Sequence, residues 1–166
     1  MPRPIDGRLL TLAVAAAAAL LAALALQTIG GLPPCPFCIY QRYPYLVVIA
    51  ACLLGWWLDR PRLGLALATL ALLVDAGLAT YHVAIEQGWV ALPEGCAAVG
   101  KATTIEELRR QLAAAPARCD QVGFTFLGLS LAAWNLIYAA GLSVLAIAML
   151  LRRPSAAEQD GYPRVA

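Results

Sequence analysis

Four stretches of the chain are almost free of charge and long enough to cross a bilayer. A spanning helix needs about 20 mostly apolar residues. Positions 9–29 are uncharged and rich in Ala and Leu, and Gly30, Gly31, Pro33 and Pro34 end the run. A second run covers 43–58 and reaches back to about position 40 when Arg42 is placed at the interface; Asp59, Arg60 and Pro61 close it. The third, 63–85, is interrupted by Asp75 and His82, and the fourth, 124–151, stops at Arg152, Arg153 and Pro154. The pattern predicts an all-α integral membrane fold. It is a four-transmembrane-helix bundle, one domain over 1–154 with spans at about 9–29, 40–58, 63–85 and 124–151, followed by a polar tail at 155–166. Spans two and three must form a tight helical hairpin. A cleaved signal peptide competes for the first span, but its apolar core is too long for that reading.

The segment between spans three and four has an order of its own. Thr104 followed three residues later by Glu107 fits a capping box. Ile105, Leu108 and Leu112 then share one face of a short amphipathic helix that turns Arg109 and Arg110 elsewhere and ends at Pro116. Such a helix lies on the membrane surface or packs on the outer ends of the spans.

Charge orients the bundle. Lys and Arg gather at the cytoplasmic ends of spans. Arg3 and Arg8 precede the first span, Arg60 and Arg62 join the second to the third, and Arg152 and Arg153 follow the fourth. All three places lie on one side, so both termini are expected in the cytoplasm. The segments holding Cys35–Cys38 and Cys96–Cys119 then face outward. Lys101, Arg109, Arg110 and Arg118 in the second outer segment are offset by Glu94, Glu106, Glu107 and Asp120.

Composition agrees with lipid as solvent: 61% of residues are hydrophobic and 13% charged, against roughly half and a quarter in soluble domains. The net charge of +2 is too small to suggest nucleic acid, and no phosphate loop or basic stripe is present.

Of the five cysteines, Cys35, Cys38, Cys96 and Cys119 fall in polar, turn-rich segments. Cys52 sits inside an apolar run, where inert packing is expected. Cys35-Pro36-Phe37-Cys38 is a CxxC motif, in which two sulfurs close and reopen a small disulfide ring. Pro33, Pro34 and Pro36 preset an extended approach and suit a first helical turn. Cys38 is thereby expected in the first turn of span two, at the positive end of the helix dipole, which favours thiolate. Arg42, four residues on, shares that face, and its side chain leans back toward Cys38. It could stabilise the Cys38 thiolate and an anion developing on a bound acceptor, or simply snorkel to the interface. Competing readings of the motif are a fixed disulfide or half a zinc site; zinc needs two further ligands at regular spacing.

Cys96 and Cys119 flank the short helix. A bridge between them would be worth roughly 3 kcal/mol in the chain-entropy model. It reads either as a staple in an oxidising compartment or as a second exchanging pair. Their small or polar neighbours, Gly95 and Asp120, suggest that both sulfurs are reachable.

The segment Cys35-Pro-Phe-Cys-Ile-Tyr-Gln-Arg42 resembles the CxxCxxxR signature of the disulfide bond formation protein B (DsbB) family. The stretch from Cys119-Asp120 through Phe126-Leu-Gly-Leu-Ser130 to Trp134-Asn135 resembles that family's entry into its fourth helix, and Tyr81-His82 fits the outer end of its third. Phe124 stands where tryptophan is expected. The resemblance implies a quinone-dependent thiol–disulfide oxidoreductase of the bacterial inner membrane, with its cysteine segments in the periplasm. A reduced periplasmic thiol oxidase of the DsbA type would attack the Cys96–Cys119 disulfide and be held on Cys96. Cys119 would resolve toward Cys35, leaving Cys38 as the thiolate facing a membrane quinone, ubiquinone or menaquinone. Arg42 and His82 would border the quinone ring. Recharging so strong an oxidant needs a sink stronger than another protein dithiol.

Two alternatives stand beside it. One is a quinone reductase like vitamin K epoxide reductase, although its CxxC is expected late in the chain. The other is a non-catalytic membrane assembly protein with structural disulfides. Of the remaining polar residues, His82 reads equally as a hydrogen-bonded packing residue. Asp75, seven positions earlier on the same face, is expected to pair inside the bundle with Asn135, Ser130 or a tyrosine. Glu86 is expected at the interface, and Trp56, Trp57 and Trp89 in interfacial belts.

Overall fold

The computed structural model describes residues 6–93, 96, 104–107, 109 and 117–152. The first helix, α1 (Gly7–Thr28), begins at Asp6, whose carboxylate accepts the Arg8 backbone N–H at 2.8 Å. The second span is built in two pieces, α2 (Pro36–Tyr40) and α3 (Arg42–Trp57), joined at Gln41. Pro44 accounts for the break: a proline lacks the N–H that would bond the carbonyl four residues back, and its ring presses on that carbonyl. Here that carbonyl belongs to Tyr40, the last residue of α2.

Between α3 and α4 (Pro61–Glu86) the chain reverses in three residues. Asp59 adopts a left-handed φ of 59°, and the Arg60 N–H reaches back to the Gly55 carbonyl at 2.9 Å, closing the helix end in the Schellman manner. Pro61 opens α4. The two helices meet at glycines: a Cβ on Gly55 would lie 2.7 Å from the Gly64 Cα, and one on Gly64 would lie 2.9 Å from the Ala51 carbonyl oxygen. Small residues at such a crossing let helices touch where lipid supplies no hydrophobic drive.

The last span, α5 (Leu131–Leu151), starts later than the sequence suggests. Thr125–Phe126 (β1) and Leu129–Ser130 (β2) form a miniature antiparallel hairpin ahead of it. Leu127 and Gly128 both have positive φ, 52° and 80°, as a two-residue type I′ turn requires. Trp134 steadies the hairpin by donating its indole N–H to the Phe126 carbonyl at 2.9 Å. Ser130 caps α5, accepting the Ala133 N–H, and donates its hydroxyl to Glu86 at 2.6 Å, so that the end of α4 and the start of α5 are tied.

Helix α4 packs against α3 and α5, and α1 against α3. The core is small: Leu9, Leu12, Ala16, Val48, Ala68 and Leu72 are among its fully enclosed residues. Larger apolar side chains such as Leu21, Trp57, Leu70 and Val144 point outward, as befits a lipid-facing surface. The buried hydroxyls of Thr69 and Ser143 bond back to the Leu65 and Ala139 carbonyls. The four spans make this a multi-pass membrane protein. In the outer segment the Thr104 hydroxyl accepts the Glu107 N–H at 3.1 Å, and 105–107 are helical. Leu108, Arg110, Leu112 and Pro116 of the expected amphipathic helix lie outside the described residues.

Candidate active site

The four outer-segment cysteines converge at one end of the bundle. Cys35 occupies the N-cap of α2, and its sulfur accepts the Cys38 backbone N–H at 3.1 Å. That contact leaves the helix-start position of Cys38 as the sequence anticipated. The two sulfurs are 2.6 Å apart, in hydrogen-bond contact as free thiols. The bond shared with Cys38, together with burial, pushes the Cys35 thiol well above the ordinary cysteine range. Cys35 is therefore the sulfur that keeps a proton.

Cys96 and Cys119 are joined in a disulfide. The sequence suggested that both sulfurs are reachable, and the fold corrects this: Cys96 is 3% exposed and Cys119 is fully enclosed. They pack in one cluster with Cys35 and Ile85, bordered by Phe37, Val90, Leu92 and Ala117. Cys35, Phe37 and Ile85, which reach them from other parts of the chain, help cover them, and the immediate neighbours Gly95 and Asp120 could not reveal this. Beside this pair Arg118 makes a two-pronged contact with Asp120 at 2.9 and 2.6 Å, which holds the Asp120 carboxyl below its usual range.

His82 sits at the junction of the two pairs. Its Nε2 is 3.5 Å from the Cys35 sulfur and its Nδ1 is 3.3 Å from the Gln41 carboxamide. The same imidazole faces the Cys119 backbone and lies against the Phe37 ring at 5.7 Å. Gln41, buried at the joint between α2 and α3, has no counterpart among the residues singled out from sequence. The usable signal was a polar residue beside the Pro44-induced break.

On the far side of Cys38 a cavity of about 470 Å³ opens between α1, α3 and α5. Ala, Leu and Pro side chains line most of it, with Cys38, Gln41, Arg42, Gln27 and Asn135 as convergent polar groups. Arg42 donates through Nη1 to the Gln27 side-chain oxygen at 2.8 Å, while its Nε is buried without a partner among the described residues. His82 is not among the cavity-lining residues; its contact is with Cys35 instead. An apolar cleft with a few convergent polar groups is the usual form of a small-molecule site.

Deeper in the bundle, Asn135 donates to Asp75 at 3.2 Å and accepts from the Tyr45 hydroxyl at 2.8 Å. Asn135 and a tyrosine were expected partners of Asp75; Ser130 instead binds Glu86. Cys52 is buried in the packed core, away from this end of the bundle.

The family model "Disulfide bond formation protein DsbB" matches residues 6–149. A disulfide bond formation protein B of Stutzerimonas stutzeri is 33% identical over 148 residues, covering 81% of this chain and 89% of that protein. The protein of the same description from Azoarcus sp. is 36% identical over 161 residues, 90% and 96% of the two chains. That from Acidovorax sp. is 33% identical over 161 residues, 87% of each. Sequence kinship of this extent, and cysteine pairs brought together at one end of four membrane spans, place the chain in the DsbB family of disulfide-forming oxidoreductases.

Proposed function

We propose that this protein reoxidises a periplasmic thiol oxidase of the DsbA type and passes the two electrons to a membrane quinone in the bacterial inner membrane. Both termini are assigned to the cytoplasm and both cysteine pairs to the periplasmic side. The observation that carries the reading is the position of Cys38, which touches Cys35 on one side and borders the apolar cavity on the other.

The chain's own residues supply the route. A partner thiolate attacks the Cys96–Cys119 disulfide, forming a mixed disulfide at Cys96 and releasing Cys119. The second partner thiol then breaks that bond, so the partner leaves oxidised and Cys96 and Cys119 are left reduced. Cys119 attacks Cys35 of a Cys35–Cys38 disulfide and releases Cys38; Cys96 then attacks Cys119 and releases Cys35, so the Cys96–Cys119 disulfide re-forms and the two protons of that dithiol pass to Cys35 and Cys38. Their shared buried cluster keeps Cys119 near Cys35. The burial of Cys96 requires the outer segment to yield when the partner docks.

The cavity residues fit a quinone. Its walls suit an apolar ring and tail, and the orphaned Arg42 Nε is a donor lacking an acceptor. Quinone, when bound, supplies the two-electron sink. Cys38 presents the sulfur, Arg42 holds positive charge beside it, and Gln27 fixes the guanidinium. His82 acts at Cys35, orienting that thiol, rather than at the ring.

Turnover of the purified protein with a DsbA-type dithiol and either ubiquinone or menaquinone tests the proposal. One quinone reduced for each partner disulfide formed is expected. Partner oxidation without quinone loss would overturn it.

A further inference from the structure

Three soft donors, not two, gather around Cys35. The sulfurs of Cys35 and Cys38 and a ring nitrogen of His82 all lie within 4.8 Å of one another. The sequence alone offered two ligands at regular spacing; the fold adds the third from a different helix.

The geometry is close to that of a bound ion. Zinc–sulfur and zinc–nitrogen bonds of about 2.3 and about 2.0 Å in a tetrahedron separate the two donors by about 3.5 Å. Cys35 Sγ and His82 Nε2 are 3.5 Å apart. The Cys35–Cys38 sulfur separation, 2.6 Å, must open to about 3.8 Å for two sulfurs on one such ion. Rotation of Cys38 provides this, because Cys38 is only half-buried and has the cavity beside it.

The histidine also has a buried partner on its far nitrogen. The Gln41 amide nitrogen lies 3.3 Å from His82 Nδ1, at a position 6% exposed, and His82 itself is 3% exposed. As placed, the amide donates to Nδ1. A half-turn of the carboxamide brings its oxygen to Nδ1–H, and the imidazole Nε2 lone pair then points at the sulfurs. A partner of this kind on the far ring nitrogen is the usual companion of a metal-bound histidine.

We propose that the reduced Cys35–Cys38 pair and His82 form a redox-gated site for a thiophilic divalent cation of the zinc and cadmium class, with the fourth position open toward the cavity. Binding forms two metal–sulfur bonds and one metal–nitrogen bond and releases the Cys35 thiol proton, together with the Cys38 proton at pH values where Cys38 still carries one. No electrons move. Two thiolates neutralise the ion, so the filled site carries no net charge into its buried surroundings. Closing the Cys35–Cys38 disulfide removes both sulfur donors and abolishes the site. A bound cation in turn withholds both sulfurs from oxidation, so this end of the protein would stall in its reduced form when such cations reach it.

The site depends only on the reduced pair, so its test contains neither quinone nor thiol partner, and its failure leaves the proposed electron route untouched. Full-length protein carrying Cys52→Ala, Cys96→Ser and Cys119→Ser, so that Cys35 and Cys38 are its only thiols, is reduced with a phosphine that is then removed and titrated with cadmium. Cadmium–thiolate charge-transfer absorption and released protons are read together. One cadmium per chain is expected, with proton release that rises from one per cadmium toward two as the pH is lowered, and no signal after the same sample is oxidised to the Cys35–Cys38 disulfide. His82→Gln should weaken binding by about tenfold or more, and Gln41→Leu by about tenfold, with the absorption band retained at saturation. Binding that survives oxidation, an affinity unchanged by His82→Gln, or no absorption at millimolar cadmium would each overturn the proposal. The comparison of reduced with oxidised protein needs neither His82 nor Gln41 variant and stands if those fold poorly.

Discussion

Arg42 donates through Nη1 to the side-chain oxygen of Gln27 at 2.8 Å, tying the start of α3 to the end of α1 across the cavity that both residues line. The bond fixes where the one guanidinium of the cavity wall points. A hydrogen bond to a charged group is worth about 1.5–3 kcal/mol, so Gln27→Leu should raise the quinone KM roughly tenfold. Disulfide exchange with the thiol partner should stay near the parent rate. Steady-state kinetics with quinone varied and then partner varied checks this; an equal loss in both would show that Gln27 serves the bundle as a whole.

Arg42→Met keeps an unbranched apolar stem as far as the Nε position and removes the charge and the donors. Quinone use should fall by about tenfold to a hundredfold, and the capture of a single-cysteine partner on Cys96 should continue. Equal losses in the two steps would contradict the role given to Arg42.

The capture step has its own test. Cys96→Ala should abolish the mixed disulfide with a single-cysteine partner while leaving Cys35 and Cys38 able to exchange electrons with quinone. A trapped partner at the parent level in this variant, seen on a non-reducing gel, would refute the assignment of Cys96.

The two thiols at the start of α2 should react in a fixed order. Cys35 is 4% exposed, and its thiol is pushed up by the bond shared with Cys38 and by burial. A group raised in this way stays protonated through the pH range where free cysteines ionise. Iodoacetamide at pH 8 to 9 should therefore modify Cys38 first, and raising the pH across that interval should not bring Cys35 level with it. Peptide mass spectrometry over a time course reads the order; Cys35 modified first would contradict it.

The glycine contact at the opposite end of the bundle predicts a stability effect separate from chemistry. A methyl on Gly55 would stand 2.7 Å from Gly64 Cα, a backbone atom that cannot swing aside. Gly55→Ala should destabilise by about 1–3 kcal/mol. Gly77→Ala, where the added methyl meets nothing within 4 Å, should be neutral or gain about 0.5–1 kcal/mol of helix propensity. Thermal unfolding in detergent separates the two.

Much of this molecule was legible before folding because lipid writes a coarse rule into the sequence. Uncharged runs gave four spans, and Asp59–Pro61 gave the tight reversal between α3 and α4. The same rule hid the hairpin ahead of α5. Residues 124–130 are mostly apolar, so hydropathy merges them with the span, and Gly128 was the sole local sign of a turn. The cysteine pairs and Arg42 were readable because their chemistry is rare at a membrane edge. Gln41 and Gln27 were not, since an amide in a span gains meaning only from a partner on another helix. His82 was singled out through the resemblance, but its contacts with Cys35 and Gln41 come from other helices and no local pattern announces them. Burial of Cys96 and Cys119 likewise depends on Cys35, Phe37 and Ile85, whose approach no local pattern encodes.

The central claim is that electrons leave the protein through Cys38. Protein with Cys35 and Cys38 reduced and the Cys96–Cys119 disulfide intact, mixed with quinone in a single turnover, tests it most directly. Quinone loss should match formation of the Cys35–Cys38 disulfide one to one, and Cys38→Ser should slow that loss by about a hundredfold or more. Quinone reduction proceeding at the parent rate in Cys38→Ser would contradict the account.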